Sequence, residues 1–163
     1  MDPTALAVPP STTRPWCLFH CCGASYAVGL SAVAEVVEVE RLVRLPHSPP
    51  RVLGLCALRR EVIPIVSLDR EDEPRADPFA RLLMLVLRTA RGDWGVRIDA
   101  EGTAVAEEPL DAAIPPVDRP GVSLLGTVRR GEAVYAAIDP EATWQSLRRG
   151  VDGWYGNPSA EAV

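Results

Sequence analysis

The stretch from Pro49 to Leu68 limits what this chain can fold into more than any other. It reads PPRVLGLCAL, then Arg59-Arg60-Glu61, then VIPIVSL. Two apolar, β-branched runs around a short charged tip predict a β-hairpin. Pro64 cannot donate to a sheet ladder, so its strand is expected at a sheet edge or with a bulge at that point. An apolar edge strand invites aggregation unless something covers it. The expectation is therefore that another protein covers part of this region.

The flanking segments extend the pattern. Met1 to Pro15 is rich in Pro, Ser, Thr and Ala, has no apolar period, and reads as a flexible tail. Trp16 to Cys22 is a strand, Gly23-Ala24-Ser25 a turn, and Tyr26 to Leu30 a second strand. Ser31 to Ala34 fits one helical turn capped by Ser31. Glu35 to Glu40 alternates acidic and apolar residues. Arg70 to Pro78 is dominated by charge and proline and marks a boundary between two halves, 16–69 and 79–138.

After that linker the plan restarts. The run Leu82 to Leu87 fits a strand buried on both faces. Trp94-Gly95-Val96-Arg97-Ile98 lines up with Tyr26-Ala27-Val28-Gly29-Leu30 at an offset of 68. Leu125-Gly126-Thr127-Val128 echoes Leu53-Gly54-Leu55-Cys56 at an offset of 72. A structural duplication is inferred from these echoes. Glu107 to Gly121, with four prolines, reads as a loop, and Ala133 to Ile138 as a strand. A helix follows over 139–149: Asp139 is its N-cap, Pro140 its first residue, and Gly150 stands just past its end. Trp144 and Leu147 would face the body of the protein. Residues 151–163 read as a second tail, with Trp154 and Tyr155 available to dock.

Composition narrows the function. The 163 residues are 47% hydrophobic and 24% charged, an ordinary globular balance. A net charge of -5 argues against a nucleic-acid partner. No apolar run approaches the roughly 18–20 residues that span a bilayer, and the N-terminus lacks a secretory pattern, so direct membrane insertion is not expected and the location expected is cytoplasmic.

No catalytic residue, metal site or cofactor site is assigned. Cys17 and Cys21 would share one strand face and Cys22 the other, so they cannot converge on one metal, and neither His20 nor His47 completes a zinc pattern. Small thiols in a reducing compartment are the simpler reading. A thiol-dependent or small-ligand barrel using Cys21, Cys22 or Cys56 is the enzymatic alternative. Arg59 is either a solvated tip residue or a planar cation paired with a carboxylate, on a partner or across the two halves.

The signature stretch resembles that of the CheW-like domain, the coupling module of bacterial chemosensory arrays. Gly54, Leu58, Arg59, Pro64 and Leu68 match its pattern. Ala57 stands where the family has Asn, Arg60 where it has Gly, and Ser67 where it has Asp. Val33, Glu35, Val36 and Pro46 also fall where the family has comparable residues, and Asp99 matches an Asp of the family's second half, read here as bonding turn amides. The resemblance implies an all-β fold of two pseudo-repeated five-stranded barrels with a C-terminal helix. It implies a non-enzymatic adaptor whose partners are the regulatory domain of a chemosensory histidine kinase and the cytoplasmic tip of a chemoreceptor. A diverged adaptor of a non-flagellar pathway, such as gliding motility, is the second possibility within the family. The partner-binding residues it implies are Val33, Glu35, Val36, Leu58, Arg59, Arg60 and Pro64. Val33, Val36 and Leu58 would line a groove between the halves or belong to the core. If the hairpin tip needs a left-handed residue, Arg60 pays about 1 kcal/mol there.

Overall fold

The computed structural model describes residues 12–69, 82–114 and 119–156, without the side chains of 154–156. The linker expected at 70–78 lies outside the described residues.

Ten strands precede one helix. They are β1 (Thr13–Cys21), β2 (Ala24–Gly29), β3 (Val33–Val39), β4 (Val52–Leu58), β5 (Glu61–Val66), β6 (Leu82–Thr89), β7 (Gly92–Ile98), β8 (Thr103–Asp111), β9 (Leu124–Arg130) and β10 (Ala133–Ile138), followed by α1 (Pro140–Gly156). A short 3-10 turn, Leu30–Ala32, links β2 to β3.

Two five-stranded sheets result. The first closes into a barrel in the order β1-β2-β10-β9-β8, and the second runs β3-β6-β7-β5-β4. Moving each strand number on by five, with β1 following β10, turns the closed order of the first into the order of the second read as a ring. The duplication read from the sequence is therefore present, but each sheet takes strands from both sides of the linker.

The offsets reappear in the pairing. Parallel contacts join Ala137 to Ala27 in one sheet and Ile65 to Gly95 in the other, positions separated by 72 and 68. Gly54 and Gly126 hold φ of 152° and 151°. Each abuts a neighbouring carbonyl, that of Val43 or of Asp111, so a Cβ at either place would collide with backbone. Each also sits at a register shift of its hairpin.

Burial follows strand alternation. Trp16, Leu18, Ala27, Val128 and Ala137 fill the first barrel. Leu53, Cys56, Ile63, Ile65, Met84 and Val86 pack together on one face of the second sheet. Between the two lies the largest cluster, with Phe19, Tyr26, Leu85, Leu87, Trp94 and Ile138 among its members. Met84 and Val86 thus face one core while Leu85 and Leu87 face another, which accounts for the unbroken apolar run of β6. Trp144 of α1 stacks on Trp94 at 5.5 Å and Leu147 joins the central cluster, as the helix pattern predicts.

Several boundaries differ from the sequence reading. Thr13 to Pro15 belong to β1, paired with Pro109, Glu108 and Glu107. Pro15 is accommodated because β2 begins pairing only at Trp16. The segment read as a loop from Glu107 is β8 as far as Asp111. Its Pro109 falls where pairing passes from β1 to β9, so no ladder donor is missed. The turn between β1 and β2 is Cys22-Gly23, one residue early. Ser31 makes no cap: the 3-10 turn starts at Leu30 after Gly29, with no side-chain cap bond. The C-terminal helix passes through Gly150, because Leu147 and Val151, one turn apart, continue its apolar stripe. Asp139 does cap it, its Oδ1 accepting from the amide of Ala142 at 3.0 Å.

Candidate partner-binding site

The signature hairpin is β4 and β5, with Leu58 opposite Glu61 and a two-residue loop, Arg59-Arg60. Both loop residues have positive φ, 49° and 71°. That is the backbone a tight hairpin turn demands, usually met by Gly, Asn or Asp. The equivalent turn of the first barrel places Gly131 at φ 61°. A non-glycine residue in this region costs about 1 kcal/mol, as expected for Arg60.

Pro64 lies opposite Leu55. Its strand is internal to the sheet, yet β5 meets β7 only at Ile65 and Val66. The Pro64 half of β5 therefore has a single neighbour, and the missing N–H leaves no gap in a ladder. The bulge of this hairpin is at Val52–Gly54 on the opposite strand, not at Pro64.

The second sheet ends in β3 and β4. In the first barrel the corresponding strands pair directly, Leu110 with Val128 and Asp111 with Thr127. Here, among the described residues, one isolated bridge stands in for that ladder: Val43, beyond the end of β3, and Leu55 of β4 exchange two backbone bonds of 2.9 and 2.8 Å. Toward the hairpin tip the two strands are joined instead by an ion pair, Arg59 Nη2 to Glu35 Oε2 at 3.0 Å. The Glu35 side chain is 24% exposed and that of Arg59 79%. An exposed pair of this kind contributes about 0–1 kcal/mol, so it adds little stability and mainly sets a cation beside an anion at the seam.

The structure thus brings Glu35 and Arg59 together, and it places the remaining five residues around them. Val36 is 38% exposed beside Glu35. Val33 is half-buried against the cluster between the sheets, and Leu58 is half-buried against the second sheet's interior. Arg60 is exposed at the tip, and Pro64 is half-buried. The sequence reading did not single out Val43 and Val62, which are 55% and 66% exposed. Strand alternation places Val62 and its partner Ala57 on the outer face, a signal the sequence did carry.

The remaining candidates have structural roles. Asp99 accepts from the amides of Cys22 at 2.9 Å and Gly23 at 2.8 Å, fixing the β1–β2 turn from the other half of the chain. Ser67 is fully buried, its Oγ accepting from the Asp69 amide at 3.2 Å and lying 3.7 Å from Cys21 Sγ. Burial pushes the Cys17 and Cys56 thiols above their ordinary value. That disfavours the thiolate, the reactive form. Cys22 is exposed in its turn, with Arg97 Nη1 donating to its sulfur at 3.5 Å. No group of three or more metal-ligating side chains forms among the described residues.

The CheW-like domain profile matches residues 15–148. The chain belongs to the CheW-like domain family. It is 26% identical over 122 residues to the chemotaxis protein CheW of Treponema pallidum (strain Nichols), covering 70% of this chain and 72% of that one. A probable chemotaxis protein CheW of Rhizobium etli is 34% identical over 76 residues, which is 46% of this chain and 49% of that protein, about half its length. The scaffolding protein TtCheW from Thermoanaerobacter tengcongensis has a crystal structure with the same fold: TM-score 0.60 at 18% identity, over 80% of this chain and 87% of that one. The CheW-like fold accounts for both sheets and the helix. Among the described residues no helix is long and apolar enough to cross a membrane.

Proposed function

We propose that this CheW-like protein is a non-enzymatic adaptor on the cytoplasmic side of the membrane. It joins the cytoplasmic tip of a chemoreceptor to the regulatory domain of a chemosensory histidine kinase. The observation that carries the reading is the seam between β3 and β4. There an ion pair, Glu35–Arg59, stands among exposed valines at an edge that the twin barrel closes with backbone pairing. Charges beside apolar area are what an interface uses to set register and to gain burial. Nothing favours the gliding or thiol-enzyme alternatives over this one.

The test measures binding of the wild type, Arg59→Ala and Glu35→Ala to both partners encoded in the same genome. Truncating a central interface arginine costs more than about 1 kcal/mol, or fivefold or more in Kd. Unchanged affinity for both partners would remove the seam from the site.

A further inference from the structure

Arg60 is the unusual residue of the hairpin tip. Among the described residues four non-glycine positions have positive φ, and two of them, Arg59 and Arg60, are adjacent. Most other positive-φ turn positions are glycines, Gly23, Gly92, Gly102 and Gly121 among them; in the matching turn of the first barrel Gly131 stands at the place of Arg59, and Glu132, at the place of Arg60, is not in the left-handed region. Arg59 has a visible occupation, its pairing with Glu35. Arg60 has none: it is exposed and makes no hydrogen bond or ion pair within the described structure. A large cation is therefore held in a disfavoured backbone conformation with no return inside the molecule. Strain of this kind, kept at an exposed tip, points to a use outside it. Next to it lies the apolar pair Ala57 and Val62, with Val62 66% exposed.

We infer that Arg60 is a specificity contact for a protein partner that presents a carboxylate beside an apolar side chain. This rests on the seam being the binding site. The guanidinium fork receives the carboxylate, and the apolar group covers Val62 and Ala57. Arg59 already has a carboxylate in Glu35, which leaves Arg60 as the tip cation without one among the described residues. A partner lacking that carboxylate leaves Arg60 uncompensated at a closing interface and is rejected.

The experiment compares the wild type with Arg60→Gly, Arg60→Glu and Arg59→Ala against the kinase regulatory domain and the receptor cytoplasmic fragment, at low and high salt. Arg60→Gly relieves the backbone strain, so misfolding does not confuse the result. The expected outcome is a loss of about fivefold or more in affinity for one partner with Arg60→Gly. A larger loss is expected with Arg60→Glu, and a weaker salt dependence than wild type with Arg60→Gly. Wild-type affinity of Arg60→Gly for both partners overturns the inference. If Arg59→Ala still weakens binding in that case, the seam survives and only Arg60 is removed from it. If neither variant changes affinity, the seam itself falls.

Discussion

Asp99 shows how much a single residue can reveal in advance. A carboxylate following an apolar strand is suited to bonding turn amides, and it holds two of them, though the turn is 76 residues away in sequence. Its chemistry was legible; its partner was not, because side-chain type says nothing about which distant turn arrives. Charge-assisted bonds of this kind contribute more than neutral ones. Asp99→Ala is expected to destabilise the fold by about 1–3 kcal/mol, measured by urea denaturation, with partner affinity unchanged. Arg60 was legible in the same partial way. The family resemblance raised a left-handed residue at this place as a condition, which the φ of 71° meets; that Arg60 has no partner among the described residues shows only in the structure, where Glu35 pairs with Arg59.

Among the elements, most of those read correctly carried local signals, although two local signals, the Ser31 cap and the Gly150 stop, pointed the wrong way. The hairpin of β4 and β5, the doubly buried β6 and the capped start of α1 each carry their cause in adjacent residues. Strand β8 does not: its prolines and acids look like a loop, and only the neighbours on either side make it a strand. The seam between β3 and β4 depends on Gly54, which admits the Val43 carbonyl at φ 152°. Gly54→Ala is expected to cost about 2–3 kcal/mol, through backbone strain and the collision with Val43, and to weaken partner binding as the bridge opens. Gly23, with nothing near a Cβ, serves as the comparison, its Ala variant costing about 1 kcal/mol from φ alone. Equal losses in the two variants, by thermal unfolding, would contradict this account of the bridge.

For the whole molecule, the duplication was legible as two offsets, 68 and 72. The exchange of strands between the two sheets was not, since an internal echo does not say which copy pairs with which. Because both sheets and the cluster between them draw on both halves, the fold is expected to unfold as one unit. Its stability also carries a pH signature. Burial keeps Cys17 and Cys56 protonated above the ordinary thiol value of 9.0, and Tyr26 above 10.0. Below those values neither the folded nor the unfolded chain loses these protons. As pH rises past 9 the unfolded chain releases them first, so folding stability falls, by up to about 1.4 kcal/mol per pH unit for each group. The urea midpoint at pH 10 is expected to lie below that at pH 8. A midpoint that does not fall would contradict the buried, protonated thiols.

The central claim is that this molecule acts by holding two proteins at once. The direct measurement is light scattering on a gel-filtration column loaded with this protein, the kinase regulatory domain and the receptor cytoplasmic fragment. One complex containing all three is expected, in which kinase domain and receptor fragment co-elute only when this protein is present. Elution of this protein with one partner alone, or with neither, would contradict it.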